Sequence, residues 1–299
     1  MPKDLLTLGD HSADEIHALL DRAQDLKARR KRGDVHRLLE GKSVAMIFEK
    51  PSLRTRATFE IGIFQLGAHP LNLDTRLGQR ESVPDIARNL ERWVDGIVAR
   101  VHAHAGLEEL AEHASVPVIN ALSDDYHPCQ ILADAQTIIE HKGRLDVIKL
   151  AFIGDGNNVF ASWAMLAAKI PFELALACPE GYEPNDRARK DIEAAGGKVT
   201  IVRDPAEAAK DADAIYTDVW TSMGQEAETQ KRLKAFAGYQ VTPALMKHAK
   251  PDALFMHCLP AHRGEEVAAE VIDGPQSVVF DEAENRLHAQ KAVLATLLG

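Results

Sequence analysis

Short apolar runs alternate along this chain with longer stretches in which apolar residues recur every third or fourth position. The runs read as buried strands and the stretches as amphipathic helices, so their alternation predicts a mostly parallel α/β sheet. Ser12-Ala13-Asp14-Glu15 has capping-box spacing, and Ile16, Leu19, Leu20, Ala23 and Leu26 follow on one helical face, ending in a basic run and Gly33. Strands are expected at 43–48, 70–73, 96–100 and 116–120. Helices are expected from the Ser52 N-cap to the Gly67 stop, at about 84–92, and at about 107–113. Pro128 suits the first turn of a further helix running to about His141. The polar segment His141-Lys142-Gly143-Arg144 marks a domain boundary, after which the pattern restarts. Strands follow at 147–153, 172–177, 198–202, 213–219 and 253–258, with helices at about 158–168 and 185–195. A last apolar helix, Arg286 to Leu298, is expected to pack back on the body, because an unburied helix of that length is marginal.

Composition narrows the picture. At 299 residues the chain is long for one core, and two domains of roughly 150 residues are expected. The net charge of -10 excludes a general nucleic-acid binder, so any positive site must be local. Three cysteines without CxxC spacing indicate a reducing compartment and no zinc ribbon. The start, Met1-Pro2-Lys3-Asp4, lacks signal-peptide form, and no apolar run approaches the ~18 residues needed to span a bilayer. A cytoplasmic protein is expected.

Candidate chemistry gathers where strands end. The stretch from Phe48 to Glu60 carries a strand into a tight loop and a helix start, where unpaired N–H groups and a partial positive charge meet Ser52, Thr55, Arg54 and Arg56. That is an anion site, and phosphate is its commonest occupant. Arg100, His127 to Gln130, Gly154 to Asn158, Asp218 to Gly224, and His257 to Pro260 each close or follow a strand. In open α/β sheets ligands bind at the carboxyl ends of strands, so these segments are expected to line one crevice. Gly154-Asp155-Gly156 is not a dinucleotide fingerprint, since the third glycine would fall at Val159. His102 and His104 read as surface histidines, having no carboxylate or cysteine partner nearby in sequence. His127 is either structural or catalytic, and Cys258 either an inert buried thiol or a functional one.

The motifs together resemble the aspartate/ornithine carbamoyltransferases. Ser52-Leu53-Arg54-Thr55-Arg56 resembles the family's Ser-Thr-Arg-Thr-Arg carbamoyl-phosphate loop, and His127-Pro128-Cys129-Gln130 its His-Pro-x-Gln motif. Asp218 through Gly224 and His257-Cys258-Leu259-Pro260 resemble the ornithine-branch signatures Asp-x-x-x-Ser-Met-Gly and His-Cys-Leu-Pro. The resemblance implies two doubly wound parallel-sheet α/β domains with the active-site crevice between them. Residues 1–141 would bind carbamoyl phosphate and 142–283 ornithine, with 284–299 a C-terminal helix returning towards the first domain. The implied reaction carries the carbamoyl group of carbamoyl phosphate to the δ-amine of L-ornithine, giving L-citrulline and phosphate, without metal or organic cofactor.

The resemblance also implies roles. Ser52, the Leu53 amide, Arg54 and Thr55 would hold the phosphate, with Arg286 on the same side. Arg100, His127 and Gln130 would polarise the carbamoyl carbonyl. Asn158, Asp218, Ser222 and the Met223 amide would hold the ornithine α-groups, and Cys258 with the Leu259 carbonyl would orient the δ-amine. A cytoplasmic homotrimer, with no nucleic-acid or membrane partner, is implied as well. Two positions depart from the family. Leu53 replaces a threonine, and Arg76 stands where a glutamine is usual, placed either to contact phosphate or to pair with Asp74. Other readings are a carbamoyltransferase for putrescine or an N-acylated ornithine, and a non-catalytic paralogue that binds phosphorylated metabolites.

Overall fold

The computed structural model describes residues 1–221 and 226–299; Ser222 and Met223 lie outside the described residues. The chain divides into two compact units, Met1–Gln136 with Glu284–Gly299, and Thr137–Ala283.

In the first unit, α1 (Ala13–Arg32) starts at a complete capping box: the Glu15 N–H donates to Ser12 Oγ and the Ser12 N–H to the Glu15 carboxylate. Gly33, left-handed at φ 78°, stops it. Then follow β1 (Ser43–Phe48), α2 (Leu53–Gln65), β2 (His69–Leu73), α3 (Val83–Leu90), β3 (Gly96–Arg100), α4 (His104–His113), β4 (Val118–Leu122) and α5 (Pro128–Lys142). The strands form one parallel sheet in the order β2-β1-β3-β4. Every residue of β3 is buried, so helices cover both of its faces, and its sequence Gly-Ile-Val-Ala-Arg therefore lacks alternation. Ile97 and Ala99 pack with Ile86 and Leu90 of α3 and Leu107 and Leu110 of α4.

The second unit holds β5 (Lys149–Ile153), α6 (Asn158–Ala167), β6 (Glu173–Ala177), α7 (Asp186–Ala194), β7 (Thr200–Val202), α8 (Pro205–Ala209), β8 (Ala214–Thr217), α9 (Thr229–Ala235), α10 (Pro243–Met246), β9 (Leu254–His257) and α11 (Ala269–Ile272). Its sheet is also wholly parallel, ordered β7-β6-β5-β8-β9. The last helix, α12 (Val279–Leu297), starts seven residues before the expected Arg286, and the division between units falls inside α5 and α12. Among the described residues no helix is long and apolar enough to cross a membrane.

Strand order decides where chemistry can sit. In the first unit the order reverses direction between β1 and β3, and in the second between β5 and β8. At such a switch point the loops leave in opposite directions and open a crevice above the strand ends. Register then sets the neighbours: Phe48 lies opposite Arg100, Ile153 opposite Thr217, and Thr217 opposite His257.

Two expectations need revision or a new cause. His104 is not a surface histidine. It is buried as the first residue of α4, its Nδ1 lies 2.8 Å from Ser123 Oγ, and its ring meets Tyr126 edge-on at 5.0 Å. That partner is distant in sequence, which is why spacing did not show it; His102 is exposed. The Gly154-Asp155-Gly156 turn, in turn, owes its second glycine to packing. A Cβ at Gly156 would sit 2.5 Å from the Pro184 nitrogen and 2.7 Å from the Glu183 carbonyl carbon. Gly156→Ala must displace that backbone, so urea denaturation is expected to show a loss of about 1–3 kcal/mol.

Candidate active site

The first unit's switch point is occupied by the start of α2 and the end of β3. Ser52 leaves β1 in extended backbone, and its Oγ accepts the Thr55 N–H at 3.2 Å, fixing the first turn of α2. Thr55 is buried, and its Oγ1 accepts from two guanidiniums: Arg286 Nη2 at 2.6 Å and Arg100 Nη1 at 3.4 Å. Both arginines are themselves buried. Positive charge is thus concentrated where the helix terminus adds its own, and an anion is the species that relieves it. Leu53 is 80% exposed and brings only its backbone N–H to this place.

Burial, then Arg286, then Arg100, hold the His127 imidazole well below its ordinary pKa, so the ring is neutral at physiological pH. It precedes Pro128, the first residue of α5, and its carbonyl accepts the Gln130 N–H at 3.1 Å. Gln130 Nε2 donates to the buried Asp134 Oδ1 at 2.8 Å, which assigns the amide and turns its oxygen away from Asp134. Between them Cys129 is inert: burial pushes its thiol up to about 12. Arg76 and Asp74 are both exposed and no ion pair joins them among the described residues.

The second unit's switch point is built around Asp218, directly after β8. Asn157 caps α6, its Oδ1 accepting the N–H groups of Val159 and Phe160, while its Nδ2 donates to Asp218 Oδ2 at 2.7 Å. The other carboxylate oxygen accepts from Cys258 Sγ at 3.1 Å and from the Val219 N–H at 2.8 Å. Cys258 is half-buried, unlike Cys178, whose thiol burial pushes up to about 11.

Beside it, His257 is clamped. Its Nδ1 accepts the Leu259 N–H at 2.9 Å, so Nε2 carries the proton and donates to Glu266 Oε1 at 3.2 Å. Its own N–H donates to Glu282 Oε2, whose Oε1 accepts the Tyr216 hydroxyl. Asp155 is taken by Arg232, whose Nη1 donates to it at 2.6 Å and to the Trp220 carbonyl at 2.9 Å.

The structure therefore gathers Ser52, Thr55, Arg100 and Arg286 directly, sets His127 within their field, and gathers Asp218, Cys258 and Leu259 in the second unit. Asp134, Glu266 and Glu282 escaped the sequence reading, and Asn157 stood there only as part of the Gly154 to Asn158 segment. Asn157 had a readable signal as an N-cap residue before an apolar helix; Asp134 lies one helical turn from Gln130, Glu266 nine residues from His257, and Glu282 25 and 66 residues from His257 and Tyr216. Asp218, His257 and Cys258 place potential metal ligands within 4.8 Å of one another, yet each donor atom already serves the bonds just described. They fit a metal poorly.

Two parallel α/β units, each with its polar groups at the switch point, define a two-domain enzyme whose first unit takes an anion and whose second offers a carboxylate and a thiol. The chain belongs to the aspartate/ornithine carbamoyltransferase family: the carbamoyl-P binding domain of that family matches residues 3–140, and its Asp/Orn binding domain matches residues 146–297. It is 54% identical to the ornithine carbamoyltransferase of Thermococcus kodakarensis and 53% identical to the anabolic enzyme of Pyrococcus furiosus, in each case over 99% of this chain and 96% of the relative. The crystal structure of ornithine carbamoyltransferase from Thermus thermophilus superposes with a TM-score of 0.90 at 48% identity, covering 100% of both chains. The solved structure of ornithine carbamoyltransferase from Pyrococcus furiosus gives 0.93 at 54% identity over 98% of this chain and 96% of that one.

Asn157→Ala removes both an N-cap and a donor to a nearly buried carboxylate. The cap alone is worth about 0.5–2 kcal/mol. Denaturant unfolding is expected to show at least that loss.

Proposed function

We propose that this protein transfers the carbamoyl group of carbamoyl phosphate to the δ-amine of L-ornithine, giving L-citrulline and phosphate. The observation that carries the proposal is the convergence of Arg100 and Arg286 on Thr55 at the start of α2, in the field of which His127 stays neutral. The activity named for relatives that are 53–54% identical over nearly the whole chain supports ornithine as acceptor.

On this reading Ser52, the Leu53 N–H, Arg54 and Thr55 hold the phosphate, with Arg286 beside them. Arg100 and His127 polarise the carbamoyl carbonyl. A neutral imidazole can donate a hydrogen bond there without placing a third positive charge beside two guanidiniums. Gln130 spends one amide hydrogen on Asp134, so its oxygen suits the carbamoyl amino group as an acceptor. Asn158, Asp218, Ser222 and the Met223 N–H hold the α-carboxylate and α-ammonium of ornithine. Cys258 and the Leu259 carbonyl orient the δ-amine. Asp218 can meet an ammonium while keeping its present donors, because a carboxylate offers about four lone-pair sites.

The reaction balances without a cofactor. The neutral δ-amine attacks the carbonyl carbon, the C–N bond forms, and the bond to the phosphate oxygen breaks with its electron pair. The amine's proton leaves with the phosphate. A δ-amine with a pKa near that of lysine, ~10.4, is mostly protonated at neutral pH, so only a small fraction is competent. Assembly as a homotrimer in the cytoplasm completes the proposal; cysteines free of disulfides accord with a reducing compartment.

Three measurements test this. A citrulline assay should give far higher kcat/KM for L-ornithine than for putrescine or N-acetylornithine; the reverse ranking overturns the acceptor, and no turnover despite carbamoyl-phosphate binding indicates a non-catalytic paralogue. Arg100→Ala should lower kcat by about 10²–10³-fold, the usual cost of removing a donor to a developing oxyanion. The kcat/KM for ornithine should rise with pH as the amine loses its proton. Because His127 is already neutral, no imidazole inflection should appear near pH ~6.5.

A further inference from the structure

Beyond the Leu259–Pro260 turn, His262, Glu265 and Glu266 form a second cluster that the proposed reaction does not use as a unit. The turn is closed by the Glu265 N–H donating to the His262 carbonyl at 3.0 Å. It brings the imidazole nitrogen and both carboxylates together, with all three potential ligand atoms within 4.8 Å of one another. His262 Nδ1 stands 3.8 Å from Glu265 Oε2 and 3.9 Å from Glu266 Oε2. Neither distance is a hydrogen bond.

Glu266 makes this more than a surface pair. It is fully buried, and its Oε1 accepts from His257 Nε2 and from the His262 N–H. Its Oε2 is buried as well and, among the described residues, accepts no hydrogen bond. A buried carboxylate oxygen with no donor is costly. His262 and Glu265, whose side chains are 51% and 40% exposed, flank it on the solvent side.

We propose that His262, Glu265 and Glu266 form a divalent-cation site, with Glu266 Oε2 as its buried ligand. One imidazole and two carboxylates select a borderline first-row ion of the zinc, cobalt or manganese kind over Ca²⁺. An ion about 2.1 Å from each ligand in tetrahedral geometry requires ligand atoms about 3.4 Å apart. The observed 3.8 and 3.9 Å are a few tenths too wide, a gap that rotation of the two half-exposed side chains closes. The fourth position would be water. The site is separate from the Asp218, His257 and Cys258 cluster but adjoins it through Glu266, whose Oε1 accepts from His257 Nε2, so an ion here would draw on the carboxylate that holds the His257 ring.

Cobalt(II) is a suitable probe, titrated by calorimetry into chelator-treated full-length protein. A Cys258→Ala background removes the nearby thiol. One Co²⁺ is expected per chain, its absorption lacking a thiolate charge-transfer band. His262→Ala and Glu265→Ala should each weaken binding at least about tenfold, while each alone, with Cys258 in place, keeps its citrulline-forming rate as a check on folding. Absence of binding, binding abolished by Cys258→Ala, or equal affinity in the His262 and Glu265 variants would overturn the site.

Discussion

Two buried guanidiniums drawn to one hydroxyl, Thr55 Oγ1, are the constraint on which the first unit's chemistry depends. Positive charges in a dry environment repel strongly, and the helix terminus beside them adds to the field. The consequences spread outward. Burial, then the field, keeps His127 unprotonated, and burial, then Arg100, lowers the pKa of Lys50. The protein has a net charge of -10, yet it keeps this spot positive by locating it at a helix start and a sheet switch point.

The second unit solves the opposite problem, holding a carboxylate in one orientation. Asp218 receives donors from Asn157, Cys258 and its neighbouring amide, each supplied by a different segment. Asn157 makes helix start and site chemistry a single structure, since one side chain caps α6 and grips Asp218. His257 is fixed in one tautomer by Glu266 and the Leu259 N–H, so the turn carrying Cys258 and Leu259 inherits the rigidity of β9.

Much of this was legible in the sequence, for a physical reason. Parallel strands buried on both faces appear as unbroken apolar runs, and capping residues such as Ser12 and Ser52 have local signatures. The short helices α8 to α11 span too few residues for a periodicity to show. Site residues at strand ends, such as Arg100 and Asp218, were visible because a polar residue closing an apolar run is unusual. Glu282 was not, since a partner across the fold leaves no mark at either position, and Asp134 and Glu266, only four and nine residues from theirs, have spacings that do not single out a carboxylate with a role. His104 was misread on the same account: its partners, Ser123 and Tyr126, are contributed by another loop.

The three thiols also divide cleanly. Cys129 and Cys178 are buried and shifted to about 12 and 11, where the nucleophilic thiolate is scarce at neutral pH, whereas Cys258 is half-exposed beside Asp218. The unmodified chain therefore carries its own selective attachment point. A cysteine-directed reporter would find the second unit without any engineered residue, and would sit directly against Asp218.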